Sequence, residues 1–110
     1  MKKWDVSIVI PNWNGVYLLQ KHLQNTIDAS DGYEIIVSDD CSTDGSVDYL
    51  KKNFPHVIVV SRKSRQGFAG NVNAGVARST GDIVILLNTD VEPEKGFLQP
   101  LLSHFDDPDV

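Results

Sequence analysis

Val6-Ser7-Ile8-Val9-Ile10-Pro11-Asn12-Trp13-Asn14-Gly15 is the stretch whose reading decides the fold. Val6 to Ile10 is a β-branched run ended by Pro11, which reads as a buried strand. Asn12 to Gly15 is polar and turn-forming, and then Val16 to Ile27 places Leu19, Leu23 and Ile27 at helical spacing. Strand, polar loop and helix in that order make the first half of a parallel crossover unit.

The same order recurs downstream. After the Asp31-Gly32 turn, Glu34 to Ser38 is a second strand, Asp39 to Gly45 is polar, and Val47, Leu50 and Phe54 mark a short helix limited by Pro55. His56 to Val60 predicts a third strand, followed by the basic loop Ser61 to Gly67. Ala69, Val72 and Val76 then share a helical face, with Gly81 as its cap. Asp82 to Leu87 predicts a fourth strand. Pro93 marks the start of a last helix with Phe97-Leu98, Leu101-Leu102 and Phe105 on its inner face. Strands that are nearly continuous apolar runs belong to a sheet covered on both faces. The expectation is an α/β fold: an open parallel sheet in the order 3-2-1-4 with helices on both faces, one domain over residues 1–110.

Composition narrows the function. The chain has 110 residues, a formal charge of −5, 41% hydrophobic and 23% charged residues, and one Cys. The acidic balance argues against a nucleic-acid surface, which needs clustered Lys and Arg. One Cys excludes an internal disulfide and a multi-Cys zinc site, so a reduced, cytoplasmic setting is expected. Met1-Lys2-Lys3 with Val6 to Ile10 lacks the roughly 7–15 apolar residues of a secretory signal. No run approaches the roughly 18 residues of a membrane span. Peripheral attachment at the inner membrane face stays open.

Open parallel sheets bind ligands beyond the carboxyl ends of their strands, where strand order reverses. The polar loops fall there: Pro11 to Gly15, Asp39 to Gly45, and Asn88-Thr89-Asp90. In the order 3-2-1-4 all three line one crevice. Asp39-Asp40 reads two ways. It can cap the helix beginning near Asp44, or one carboxylate can accept a ring N–H from a base such as uracil, thymine or guanine. Asp90 is either a surface aspartate or a divalent-metal ligand facing a diphosphate, since two unit charges at 4 Å repel by about 4 kcal/mol at an effective dielectric near 20. Arg65 to Asn73 contains Gly67 and Gly70, which either shape a turn or let a helix start approach phosphate. Arg62, Lys63 and Arg65 read as a solvated basic loop. Trp13 is either a stacking platform or core. His22 and His104 lie on or beside apolar helix faces and read as packed or solvent-facing, and Cys41 as structural.

Four segments carry a resemblance: Ser7 to Gly15, Glu34 to Ser46, Gly67 to Asn73, and Gly81 to Pro93. In this order they resemble the family 2 glycosyltransferases with the GT-A fold, over about Val6 to Leu102. The resemblance implies a Rossmann-like first half of that fold and an inverting, nucleotide-sugar-dependent transfer to a saccharide or lipid-linked glycan acceptor, in cell-surface glycan synthesis. It places Pro11, Asn12 and Trp13 on the nucleoside, Asp40 on the base, and Asp90 at the last position of the DXD element, with Mg²⁺ or Mn²⁺ as cofactor. The candidate nucleotide-binding set is therefore Pro11, Asn12, Trp13, Asn14, Asp39, Asp40, Gly67, Asn71, Asn88 and Thr89, with Asp90 for metal. Asn88 at the first DXD position resembles the rhamnosyl- and galactofuranosyltransferase-like branch. Cys41 stands where the family usually has Gly. The family's acceptor-binding half and general base lie beyond this motif, so the chain is expected to be a donor-binding fragment, inactive alone.

Three other readings compete. A phosphorelay receiver would need an aspartate at Asn88 and its acidic pair after the first strand. A non-catalytic nucleotide-binding or interaction module fits the same fold. A sugar nucleotidylyltransferase would need a Gly-rich basic loop where Pro11 to Gly15 stands.

Overall fold

The computed structural model describes residues 4–106; Met1 to Lys3 and Asp107 to Val110 lie outside them. Four strands form one parallel sheet: β1 (Val6–Asn12), β2 (Glu34–Asp39), β3 (Ile58–Ser61) and β4 (Ile83–Leu86), in the order β3-β2-β1-β4. The helices are α1 (Val16–Ala29), α2 (Ser46–Asn53), α3 (Gly67–Arg78) and α4 (Leu98–Ser103), the last continued by a 3₁₀ turn, His104–Asp106. The expected α/β architecture and strand order are as observed. No helix among the described residues is long and apolar enough to cross a membrane.

The two faces of the sheet differ. Val6, Ile8 and Ile10 of β1 join Ile35 and Val37 of β2 in a core with Leu19 and Leu23 of α1, Leu50 of α2, and Leu98 and Leu102 of α4. The intervening residues Ser7, Val9, Ile36 and Ser38 are also buried, two of them polar. They face α3, which packs so closely that a Cβ on Gly75 would lie 2.6 Å from Val9 and 3.2 Å from Ser38. Alternation along the strands therefore sends even positions of β1 to one helix layer and odd positions to the other.

Pro11 does not end β1. The strand pairs with β2 through Pro11↔Ser38 and Asn12↔Asp39, whereas its register with β4 stops at Val9↔Leu86. The Leu87 N–H donates to the Val9 carbonyl at 3.0 Å and the Asp40 N–H to the Asn12 carbonyl at 3.0 Å, so Pro11 faces the β4 side. It has no N–H to continue that ladder. The β1–β4 pairing ends there, at the switch point of the sheet.

Four local expectations are corrected. β3 starts at Ile58 rather than His56, because Pro55 lies in a turn closed by the Val57 N–H on the Phe54 carbonyl. The last helix starts at Leu98 rather than near Pro93. Pro100 fits its first turn, where N–H groups lack intrahelical partners. Leu98 and Leu102 face the core, while Leu101 and Phe105 are 46% and 45% exposed. Gly81 is not a helix cap: α3 ends at Ser79, and Gly81 instead lies against β1, where a Cβ would meet the Ser7 backbone at 2.6 Å. Finally, only β1 and β2 are buried on both faces, since Val84 and Leu86 on the edge strand β4 are exposed.

Candidate nucleotide and metal site

Alternation gives the adjacent carboxylates Asp39 and Asp40 opposite duties. Both are buried, at 1% and 2% exposure. Asp39 turns toward the loop before α2. Its Oδ1 accepts from Asn12 Nδ2 at 2.8 Å and Ser42 Oγ at 2.6 Å, and its Oδ2 from the Ser42 N–H at 2.9 Å. Asp40 turns the other way and holds the start of α3. Its two oxygens accept from the Gln66 N–H at 2.7 Å and the Gly67 N–H at 3.0 Å. The Gln66 N–H is the main reason the Asp40 carboxyl sits below its usual range; the Gly67 N–H and Arg65 add to it against the opposing effect of burial. The helix after this loop is served by a third carboxylate, Asp44, which accepts from the Ser46 N–H at 3.0 Å and the Val16 N–H at 2.9 Å. Burial pushes Asp44 up, but its bonds from Ser46 and Val16 outweigh that and leave it low.

The loop after β1 is laced to the loop after β2. Asn14 adopts a left-handed φ of 48°, the Asn14 N–H donates to Ser42 Oγ at 2.8 Å, and Asn14 Oδ1 accepts from the Thr43 N–H at 2.8 Å. Asn71 of α3 accepts from Ser38 Oγ at 2.8 Å and donates to the Asn12 carbonyl at 3.2 Å. Cys41 has φ 61°, the left-handed region that favours glycine. The departure from Gly at this position leaves the turn intact, with a strained residue in it.

Around this framework a cavity of about 180 Å³ opens at the carboxyl ends of β1 and β2. Pro11, Asn12, Trp13, Asp40 and Asn71 line it, as do Arg65 and Phe68. Trp13 is 49% exposed, so it is cavity wall and not core. The Arg65 guanidinium carbon lies 3.7 Å from the Trp13 ring centroid, and Arg65 Nε is 3.5 Å from Asp40 Oδ2. Arg65 is thus no freely solvated loop charge. The sequence signal available for Arg65 and Phe68 is their place beside Gly67, where the chain enters α3. Asn14, Asp39 and Gly67 support the cavity from behind; their side chains or backbone bind the loops to one another. A larger groove of about 400 Å³ lies at the amino ends of β2 and β3, lined mainly by apolar residues such as Ile27, Ile35 and Ile58. It is at the wrong end of a parallel sheet for ligand chemistry.

Asn88, Thr89 and Asp90 come after β4 and stand apart from the cavity lining. A Cβ on Gly15 would lie 2.4 Å from Asn12 Oδ1 and 3.8 Å from Thr89 Oγ1, so the first and fourth loops meet at that glycine. Asn12 Oδ1 is buried there with no hydrogen-bond partner among the described residues. Asn88 and Asp90 are exposed, and none of the three side chains hydrogen-bonds another described residue. No group of three or more His, Cys, Asp or Glu placed to hold a metal occurs among the described residues. An exposed, unpaired carboxylate still fits a hard cation that takes most of its oxygens from a diphosphate and water.

Comparison with known proteins bears on the family and the fold. The chain is 34% identical over 109 residues to a pre-mycofactocin glycosyltransferase of Mycobacterium tuberculosis, covering 96% of this chain and 22% of that protein. It is 31% identical over 103 residues to a dolichyl N-acetyl-alpha-D-glucosaminyl phosphate 3-beta-D-2,3-diacetamido-2,3-dideoxy-beta-D-glucuronosyltransferase of Methanococcus voltae, covering 86% and 32%. The chain thus spans about a third or less of these curated relatives. A mannosyltransferase of Pyrobaculum calidifontis, solved with GDP-Man and Mn²⁺, superimposes with a TM-score of 0.85 at 26% identity, over 100% of this chain and 34% of that one. Residues 7–110 match the profile of glycosyl transferase family 2, and the chain belongs to that family.

Proposed function

We propose that this chain is the donor-binding part of an inverting glycosyltransferase, holding a nucleoside diphosphate sugar for transfer to an acceptor hydroxyl in cytoplasmic assembly of cell-surface glycans. One observation carries the reading: an exposed indole, a buried carboxylate and an arginine share one cavity at the switch point of the sheet. The Trp13 ring offers a face for a base. Asp40 has acceptor capacity left after its two backbone bonds and selects a base with a ring N–H. Asn12 Oδ1 supplies a second, unpaired acceptor.

The chain carries 15 acidic against 10 basic residues, so a diphosphate needs a counter-charge. Asp90 would hold Mg²⁺ or Mn²⁺ with Asn88 beside it. When bound, such an ion supplies positive charge to the departing diphosphate. The Pyrobaculum relative, solved with GDP-Man and Mn²⁺, supports this, and the name of the Methanococcus relative supports a lipid-linked acceptor. The general base that deprotonates the acceptor is assigned to no residue here.

Titration calorimetry of the chain with UDP, dTDP, GDP and ADP, each with and without Mn²⁺, tests the reading. One nucleotide whose base carries a ring N–H binds, and more tightly with Mn²⁺. Trp13→Ala weakens binding with or without metal by about 5- to 150-fold, the range of base–aromatic stacking. Asp90→Ala removes the metal-dependent gain alone. A folded chain that binds none of the four overturns the assignment.

A further inference from the structure

Among the described residues, the side chains of the segment after β4 hydrogen-bond the rest of the protein at one point. His22 Nδ1 donates to Glu92 Oε1 at 2.6 Å, and Asn25 Nδ2 donates to the same oxygen at 3.3 Å. Among the described residues, no other side chain from 88 to 97 hydrogen-bonds the body of the protein. The His22 side chain is 12% exposed, and its helix is seated by Leu19 and Leu23, at 1% and 2% exposure. Glu92 is 48% exposed at its side chain, so His22 is the anchored end of the contact. On the other side of Asp90, the Leu87 N–H is fixed to the Val9 carbonyl.

We propose that His22 and Asn25 are positioning residues for Asp90, pinning its loop through Glu92 so that the loop keeps its place against the first loop, where Thr89 meets Gly15. This rests on the donor-site reading above for its purpose, but not for its geometry. One residue, Val91, separates Asp90 from the pin, a span of at most about 7 Å. With the pin removed, the next fixed side chains are Phe97, packed against the core, and Leu98, buried in it. The loop that carries Asp90 then samples a larger volume, and a cation held by a single carboxylate loses the most from that freedom.

Two measurements on the chain test this, with His22→Ala and His22→Asn. An asparagine amide nitrogen occupies nearly the place of a histidine Nδ1, so His22→Asn keeps the donor. First, heteronuclear relaxation of backbone amides needs no ligand. His22→Ala lowers order at Thr89 to Glu92 and leaves Asp39 to Ser42 unchanged, and His22→Asn restores it. Unchanged order at Thr89 to Glu92 overturns the proposal, whether or not any nucleotide binds. Second, in titrations with the nucleotide that binds the parent chain, His22→Ala reduces the gain from Mn²⁺ several-fold without altering metal-free affinity. Equal loss with and without Mn²⁺ shows a general structural defect and also overturns it. A parent chain that binds no nucleotide refutes the donor-site reading and leaves the relaxation result to decide the pin.

Discussion

The loop after β2 and the loop after β4 end at the same crevice and are built in opposite ways. After β2, Asp39 and Asp40 are buried and every carboxylate oxygen accepts a hydrogen bond, which binds three separate segments together. After β4, Asn88 and Asp90 are exposed, and among the described residues the loop's side-chain hydrogen bonds to the body run through Glu92 alone. Under the proposed donor-site reading, the difference is a division of labour. A base has fixed shape and donors, so its side of the crevice is assembled before it arrives. A diphosphate and cation bring their own ligands, so their side needs one free carboxylate and little else.

The largest test of that contrast is on the knitted side. Asp39→Ala leaves the part-buried Ser42 N–H without its acceptor and the buried Asn12 Nδ2 with only a long contact to Ser42 Oγ, and urea unfolding should show a loss of about 3 kcal/mol. A variant as stable as the parent would mean that the lacing is decorative. Acid comes next. The Asp40 carboxyl is held below the ordinary aspartate range in the folded chain, chiefly by the Gln66 N–H. A carboxyl depressed by folding adds stability that is present above the unfolded value and lost as pH falls through the folded one. Stability should therefore fall below about pH 4, and Asp40→Asn should flatten that limb. If the slope of the urea midpoint against pH is the same in Asp40→Asn, the bonds to α3 do not act as described.

Cys41→Gly is a smaller change in the same loop. It removes a left-handed non-glycine residue and gives back some chain entropy to the unfolded state, for a net gain of about 0.5–1 kcal/mol. A thermal midpoint below that of the parent would place the strain elsewhere. The smallest expected effect is on the open side. Asp90→Ala removes no hydrogen bond among the described residues, so its unfolding free energy should lie within about 0.5 kcal/mol of the parent. A loss comparable to that of Asp39→Ala would erase the distinction between the two sides.

Much of the fold is legible in the residues. β-branched runs ended by polar loops mark the four strands, and the spacing of Leu19, Leu23 and Ile27 marks the first helix. The polar loops falling after the strands mark the crevice. Boundaries set by proline are harder to read, because Pro11 is tolerated inside β1 once β4 has left its side, and Pro100 is tolerated inside the first turn of α4. Arg65 reads as a surface charge because its partners, Trp13 and Asp40, are far from it along the chain.

Element order, element type and the placing of the polar loops thus follow from residue pattern alone, because they rest on periodicity and local backbone preference. Which carboxylate does what is settled by packing between distant segments. Asp39 and Asp40 are chemically identical neighbours. Only the sheet, with one helix layer on each face, gives them different acceptor duties, and only the end of the β1–β4 ladder leaves Asp90 without any.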